Sequence, residues 1–192
     1  LFDKGNFVSD IEKLILNDSV DVAIHSAKDM PAKKTKGLKH FYFIENSERK
    51  VNDLLIFRKD TKPNFTSEMK LGTSSLRRKM QARFHMNATN IEPLNGNIDT
   101  RLKKLNDGQY DCIILAEAGL SRLDFLIQNQ NYKKLNHLTC SGQGVLAVQW
   151  KEGNSAESII KSSQIYKDMA SLNEEINMER ELLVKLNADC NS

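Results

Sequence analysis

The first part of the chain carries one helical and one strand-like pattern of apolar residues. In SDIEKLIL the apolar positions recur at helical spacing, and Ser9 and Glu12 have the spacing of a capping box. A helix that ends near Asn17 is therefore predicted at the start of the chain. The next segment, VDVAIHS, is short, apolar and β-branched, which is typical of a buried strand. Because the proline of KDMP cannot continue a strand, the polar residues before it are expected at the strand's carboxyl end.

The middle of the chain alternates strands with helices. After the polar stretch ENSERKVN, which we interpret as a hinge, a strand is predicted in DLLIFRK. The pattern then predicts, in order, a strand in MKLG, a helix in SLRRKMQARFHM, a strand in NIEPL, a helix in IDTRLKKLNDG and a strand in YDCIILA. This alternation predicts an α/β fold with a parallel or mixed sheet covered by helices, and ligands are expected at the strand ends.

The last part of the chain adds one strand and one helix. The strand in VLAVQ follows the loop NHLTCSGQG and is expected to return to the first unit, so that the chain crosses the hinge twice. A helix is predicted from about Ser171 to Leu186, with Ser171 and Glu174 as its capping box. Cys190 lies just past its predicted end.

The composition narrows the functional classes. The 192 residues include 40% hydrophobic residues, enough for one large domain or two small ones. No apolar run approaches the roughly 20 residues that cross a bilayer, and the start LFDKGNF lacks the features of a signal peptide. A net charge of +3 is too small to indicate nucleic-acid binding. The cysteines and histidines lack metal-ligand or disulfide spacing, so no metal site is expected and a reducing compartment is favoured.

The segment LGTSSLRRK predicts an anion site. Thr73, Ser74 and Ser75 form the turn after a strand, and Arg77 and Arg78 lie near the start of the next helix. Backbone donors, hydroxyl groups and the helix dipole converge there. Two guanidinium groups beside them favour carboxylates or phosphates, which they bind in a bidentate way. The alternative is an ordinary capped helix with solvated arginines.

Two further arginines follow later strands. Arg101 lies near the first turn of a helix predicted to begin at about Ile98, and Arg122 closely follows the strand in CIILA. Each arginine by itself is typical of a solvated helical face. Four arginines after three successive strands together favour a cleft that binds carboxylates.

Lys28 and Asp29 adjoin at the end of the strand that carries His25. A carboxylate in a cleft lined by cations would stay ionised and could stabilise a cationic intermediate or move a proton. The alternative is a surface lysine and aspartate in the turn before Pro31. His25 is interpreted as a packed histidine.

The cysteines add little by themselves. Cys112 is flanked by isoleucines in a strand and is expected in the core, Cys140 lies in a loop, and Cys190 would be a thiol near the chain end. The residues alone therefore indicate an α/β protein with an arginine-lined carboxylate cleft, and they imply no particular reaction.

Six ordered segments resemble the hydroxymethylbilane synthase (porphobilinogen deaminase) family. DVAIHSAKDMP is similar to the signature around the catalytic aspartate of that family. It is followed in family order by LGTSSLRRKMQ, NGNIDTRLKKL, YDCIILAEAGLSRL, SGQGVLAVQ and ERELLVKLNADC. The resemblance extends from about Lys4 to Cys190, which is most of the chain.

The resemblance implies a fold with two lobes similar to type II periplasmic binding proteins, with the active site in a cleft between them, and a third, α+β domain. Residues 1–48 and 143–164 would form part of domain 1, residues 49–142 domain 2, and residues 165–192 the start of domain 3. The chain is accordingly expected to be a fragment that begins inside the first domain and ends just after Cys190.

The resemblance also implies a transferase. Cys190 would hold a dipyrromethane cofactor through a thioether, and four porphobilinogen molecules would be added one at a time with loss of ammonia. Hydrolysis would then release hydroxymethylbilane for haem biosynthesis. Asp29 would be the catalytic group that protonates the leaving amine and stabilises pyrrole cations.

The family analogy assigns a further set of residues to the carboxylates and hydrogen-bonding groups of cofactor and substrate. These are Lys4, Ser26, Lys28, Thr73, Ser74, Ser75, Arg77, Arg78, Arg101, Arg122 and Gln143. Two positions depart from the family pattern. Asn95 stands where an arginine is usual, so one carboxylate contact is lost or moved, and ADC replaces the usual double glycine before the cysteine.

Two other functional classes compete. A non-catalytic ligand-binding domain of the periplasmic-binding-protein class, or a degenerate paralogue, would also have an arginine-lined cleft, but it would not need Cys190 or HSAKD. A nucleic-acid-binding module could use SSLRRK and RLKK, although the chain lacks an aromatic stacking pattern. The expected partner is porphobilinogen, without nucleic acid or membrane, for a monomer in the cytoplasm or in a plastid-type organelle.

Overall fold

The computed structural model describes residues 4–45, 47–123 and 131–188. The chain divides into two compact units. Residues 4–49 and 140–188 belong to the first unit, and Lys50–Thr139 form the second.

The first unit is built on a three-stranded antiparallel sheet. Its elements are α1 (Lys4–Leu16), β1 (Val22–Ser26), a 3-10 turn (Ala27–Asp29), β2 (Leu38–Phe43), β8 (Leu146–Lys151), α5 (Ala156–Ser162), α6 (Gln164–Asp168) and α7 (Ala170–Lys185). The strand order is β1–β8–β2, so the strand predicted in VLAVQ lies in the centre of this sheet. Its return to the first unit is therefore confirmed.

Two predicted capping boxes are wrong, although the predicted start of the last helix, at about Ser171, agrees with the structure to within one residue. Helix α1 has already begun at Lys4, because its buried face starts with Val8, a full turn before the apolar residues used for the prediction. Helix α7 begins at Ala170 without a side-chain cap, and Ser171 lies inside it. Met169 is the N-cap residue, and its carbonyl oxygen accepts the first hydrogen bond of the helix, from the Asn173 N–H.

The second unit contains a mixed sheet of five strands, which confirms the predicted α/β class. Its elements are β3 (Asp53–Phe57), β4 (Leu71–Gly72), α2 (Leu76–Met86), β5 (Ile91–Glu92), α3 (Ile98–Asn106), β6 (Cys112–Ala116), α4 (Glu117–Ser121) and β7 (Asn131–Leu135). The order is β5–β4–β6–β3–β7. Strands β5, β4 and β6 are parallel, and β3 runs antiparallel to both of its neighbours.

Helices pack on both faces of this sheet and bury strand β3 on both sides. Leu54 and Ile56 face the cluster that includes α3, whereas Leu55 and Phe57 face the cluster that includes α2. A strand covered on both faces has a continuous rather than an alternating apolar pattern. This explains the uninterrupted run in DLLIF.

Candidate functional site

The carboxyl ends of three neighbouring parallel strands carry the arginines of the second unit. Arg77 and Arg78 begin α2 after β4, Arg101 lies in α3 after β5, and Arg122 caps the end of α4 after β6. Since the ends of parallel strands meet at one edge of a sheet, the predicted placement of these residues at the strand ends is confirmed.

The hydroxyl groups of the turn after β4 make local hydrogen bonds. Thr73 Oγ1 accepts from the Ser75 N–H at 3.3 Å, and Ser75 Oγ caps α2 by accepting from the Arg78 N–H. Ser74 Oγ donates to the Leu94 carbonyl at 3.0 Å and accepts from the Leu94 N–H at 2.9 Å. These bonds join the turn to the loop after β5. The predicted contacts of the three hydroxyls with a ligand stay a prediction.

Asp53 binds both adjacent arginines. Its Oδ2 accepts from Arg77 Nη2 at 2.8 Å and its Oδ1 from Arg78 Nη2 at 2.7 Å. Only 2% of Asp53 is exposed. Burial raises the pKa of this carboxyl group, but the charges and hydrogen bonds of Arg78 and Arg77 outweigh burial and hold it below its ordinary value. Asp53 therefore stays ionised and fixes both guanidinium groups.

Arg77, Arg78, Arg101 and Asp53, which we name the arginine cluster, carry excess positive charge. Three guanidinium groups and one carboxylate leave a net charge of +2. Burial and the charge of Arg78 both lower the pKa of Arg101, whose Nε donates to the Gly96 carbonyl at 2.6 Å. Within the described chain, the buried Arg78 Nε has no hydrogen-bond partner. A bound anion would reduce the repulsion within this cluster.

Sequence reasoning missed Asp53. Its register places it opposite Ala116, the last residue of β6, and therefore at the strand edge where the arginines lie. The available signal was a carboxylate at the first position of an apolar strand. Such a residue is costly to bury unless it is paired.

The predicted site residues of the first unit lie at the end of strand β1 and directly after it, and Asp29 is the one predicted to be catalytic. Ser26 ends the strand, and the half-buried Lys28 and Asp29 lie in the 3-10 turn. The turn is fixed at its start because the Ala27 N–H donates to the Val145 carbonyl at 2.9 Å. We name residues 26–31 the Asp29 turn. The arginine cluster belongs to the other unit, and a shared cleft stays a prediction.

The loop of residues 140–144 packs against the Asp29 turn. A Cβ atom on Gly142, whose φ is +71°, would lie 3.0 Å from the Ala27 Cβ and 3.1 Å from the Lys28 nitrogen. The Gly142 N–H donates to Glu179 Oε2 at 2.8 Å. Gln143 is buried, and its Oε1 accepts from Cys140 Sγ at 3.3 Å. A role for Gln143 in binding a carboxylate stays a prediction.

His25 is a buried histidine, which agrees with its interpretation as a packed residue. Burial lowers its pKa, although a hydrogen bond with Gln149 and the charge of Glu12 act in the opposite direction. Glu12 itself accepts from Gln149 Nε2 at 2.9 Å and from Thr35 Oγ1 at 2.8 Å. This polar network supports the strand that leads to Asp29.

Cys112 lies in the core as predicted, and burial raises the pKa of its thiol to about 12. Cys190 lies outside the described residues, and so does the side chain of Lys4. Within the described ranges, no helix has the length and apolar character needed to cross a membrane.

The comparisons with known proteins agree with the sequence motifs. Residues 1–158 match the family model described as porphobilinogen deaminase, dipyromethane cofactor binding domain. The chain is 37% identical over 182 residues to a probable porphobilinogen deaminase of Methanocaldococcus jannaschii, covering 95% of this chain and 58% of that protein. It is 39% identical over 194 residues to the porphobilinogen deaminase of Streptococcus sanguinis, covering 97% and 61%.

Among solved structures, the effector binding domain of BenM with benzoate aligns over 93% of this chain and 76% of that chain, with 10% identity and a TM-score of 0.47. The expected fold class is supported by the family match and by the sheets and helices of the two units. The chain spans about three fifths of the length of its curated relatives, 58–61% for the two named here. Both the family model and these relatives show that the chain belongs to the porphobilinogen deaminase family.

Proposed function

We propose that this chain forms the cofactor- and substrate-binding part of a hydroxymethylbilane synthase. The reaction would join four porphobilinogen molecules head to tail, with loss of ammonia, and would release hydroxymethylbilane by hydrolysis. The observation that carries the proposal is the arginine cluster, since porphobilinogen bears an acetate and a propionate, and a growing polypyrrole accumulates such groups. A monomeric state and a cytoplasmic location are parts of the same proposal.

The cluster fits the carboxylates of a dipyrromethane. Its net charge of +2 matches a ligand that brings negative charge. We assign Arg77, Arg78 and Arg101 to these carboxylates, with Arg122 and Lys28 as further cations. Cys190 would hold the cofactor by a thioether, and the bound cofactor would supply the pyrrole carbon to which the first substrate is joined.

Asp29 is the proposed catalytic group. It would donate a proton to the aminomethyl nitrogen of porphobilinogen as ammonia leaves, and its carboxylate would then stabilise the positive charge on the pyrrole ring. Its place directly after β1, in a turn held by backbone hydrogen bonds and tight packing, supports this role. A group positioned in this way contributes about 100- to 10,000-fold to a rate.

The test is turnover of porphobilinogen by the protein expressed from its complete reading frame. Asp29→Asn should lower kcat by at least about 100-fold. The matched control is Asp10→Asn, at an exposed carboxylate that pairs with Lys13 on helix α1, and it should keep wild-type kcat. Wild-type kcat in Asp29→Asn would refute the catalytic role. Binding of porphobilinogen without its consumption would instead indicate a ligand-binding domain.

A further inference from the structure

Arg180 of helix α7 contacts the backbone of the Asp29 turn. Its Nη1 donates to the Ala27 carbonyl at 3.0 Å, and its Nη2 donates to the carbonyls of Met30, at 2.6 Å, and Pro31. These three carbonyls flank Asp29 on both sides. Only 5% of Arg180 is exposed.

The Ala27 carbonyl accepts one hydrogen bond within the turn, from the Met30 N–H at 3.2 Å, whereas Arg180 is the donor to the Met30 and Pro31 carbonyls. A single 3-10 turn makes few internal hydrogen bonds, and Pro31 contributes no N–H. A planar guanidinium group with five fixed donors can reach several carbonyls at once. A lysine ammonium group, which is a point charge on a flexible stem, cannot reproduce this geometry.

The hydrogen bonds of Arg180 hold the backbone of the turn in place. Within the described parts of the chain, its guanidinium group donates only to backbone carbonyls. A buried cation without a carboxylate partner is costly, so these bonds must be formed well for the helix to pack here. The buried guanidinium group therefore needs the carbonyls of the turn as acceptors, and the turn is held in its conformation by these hydrogen bonds.

The neighbouring Glu179 holds the second segment that contacts the turn. It accepts from the Gly142 N–H at 2.8 Å and pairs with Arg49 at 2.6 Å. Helix α7 thus holds the Asp29 turn through Arg180 and the loop against it through Glu179.

We propose that Arg180 is a positioning residue that fixes the Asp29 turn in its reactive geometry. The proposal rests on the proposed function, because it concerns the role of Asp29 in that reaction. It assigns to helix α7 a task beyond carrying the chain towards Cys190.

The test compares two variants of the same helix. Arg180→Lys keeps the charge but loses the three-carbonyl geometry. Asn173→Ala is the matched control, because Asn173 also binds backbone from α7, accepting from the Tyr42 N–H and donating to the Tyr42 carbonyl, each at 2.8 Å. Asn173 binds only the backbone of Tyr42, in β2, and the variant leaves in place the Tyr42 side chain, which packs in one apolar cluster with Ala27 and Met30.

We expect Arg180→Lys to lower kcat by about 10- to 100-fold with KM within about twofold of wild type, as expected for misplacement of a catalytic group. Asn173→Ala should lower Tm but keep kcat. In Arg180→Lys, amide hydrogen exchange in the peptide of residues 27–30 should be at least about tenfold faster than in Asn173→Ala, as a local loss of order requires.

Equal kcat values for the two variants, or equal exchange in this peptide, would overturn the positioning role. Exchange does not depend on turnover, and faster exchange that is confined to this peptide distinguishes a local loss of order from a global loss of stability. A wild-type protein that does not consume porphobilinogen would instead refute the proposed function itself.

Discussion

The buried carboxylate of Asp53 holds two guanidinium groups at one strand edge. Arg77 and Arg78 are adjacent in the sequence, and their positive charges would repel each other without the Asp53 carboxylate. Asp53 uses one oxygen for each of them. Arg77 Nη1 also donates to Gln81 Oε1 and to the Leu138 carbonyl, and Arg78 Nη1 donates to the Ile114 carbonyl, so both guanidinium groups are held in a fixed orientation. The cluster therefore has its geometry before any ligand binds, which reduces the entropy lost on binding.

Asp53→Asn should be strongly destabilising. The change leaves two partly buried cations without their counter-ion, which costs about 3–5 kcal/mol of the free energy of unfolding. Urea denaturation at neutral pH measures this loss. Asp60→Asn is the control, because Asp60 pairs with Arg58 at the surface and its loss should cost less than about 1 kcal/mol. Similar losses in the two variants would contradict the buried role of Asp53.

His40 should make the folded protein sensitive to acid. Burial, together with the positive charges of Lys34 and Arg180, lowers its pKa to about 4. The His40 ring also packs on Tyr42, with centroids 4.8 Å apart. Because the folded pKa lies below the ordinary value, the unfolded chain takes up the proton first as the pH falls. His40 therefore contributes stability that is fully present above about pH 6.5 and is lost between there and about pH 4.

The loss from His40 should reach about 3 kcal/mol at most. In His40→Gln the fall in the free energy of unfolding between pH 7 and pH 4 should be smaller than in wild type by up to this amount. Chemical denaturation across this pH range provides the measurement. The pH dependence above pH 7 should be the same in both proteins. An unchanged acid dependence in His40→Gln would show that His40 takes up its proton equally in the folded and unfolded states.

At the residue scale, local spacing predicts the arginines but not their partners. The motif LGTSSLRRK alone suggested an anion site. Asp53 is 24 and 25 residues from Arg77 and Arg78, and the Ala27 carbonyl is 153 residues from Arg180. Pairing over such distances depends on the tertiary fold, which a local pattern does not contain.

Among the elements, helices with a local cap were predicted well. Ser75 and Asn97 accept hydrogen bonds at the starts of α2 and α3, and both helices begin where the sequence indicated. Strand β7, with the sequence NYKKL, was not predicted, because it is a charged edge strand whose structure comes from pairing with β3. Patterns within a segment reveal caps and buried faces, whereas edge strands depend on their neighbours.

The loop against the Asp29 turn should not accept a side chain at Gly142. Gly142→Ala should cost about 1–3 kcal/mol, because positive φ disfavours alanine and its Cβ would crowd Ala27 and Lys28. The variant should also lower kcat, because the displaced atoms belong to the Asp29 turn.

Gly153→Ala provides a matched control for this change. Gly153 has a φ of +80°, but the space that a Cβ atom would occupy is open, so only the backbone cost of about 1 kcal/mol should appear, with kcat unchanged. Thermal unfolding and kcat of the two variants separate backbone strain from crowding. Equal losses of stability and equal kcat values in the two variants would show that the loop accommodates the Cβ atom of Gly142→Ala without displacing the Asp29 turn.

For the whole molecule, alternation of strands and helices predicts the α/β class, and the polar stretch ENSERKVN together with the returning strand in VLAVQ predicts two changes of unit. The boundaries between the units fall inside ENSERKVN and NHLTCSGQG, the polar stretches on either side of the second unit. The predicted third domain from residue 165 stays a prediction. Helix α7, which lies in that range, packs on the first unit through Asn173 and Arg180.

The motifs suggested a reaction only through their resemblance to a family. Residue types and spacing indicate a carboxylate site, but many anions would suit the arginine cluster. In the proposed function the identity of the ligand would depend on covalent chemistry at Cys190, which no local pattern of charge or hydropathy reveals. The central claim is therefore best tested at that cysteine.

The most direct measurement is the mass of the Cys190 peptide from the protein expressed from its complete reading frame, with Ehrlich's reagent to detect pyrrole. We predict a dipyrromethane adduct on Cys190 that is absent from Cys190→Ser and retained in Cys140→Ser. An unmodified Cys190 in folded protein supplied with porphobilinogen would contradict the proposed function.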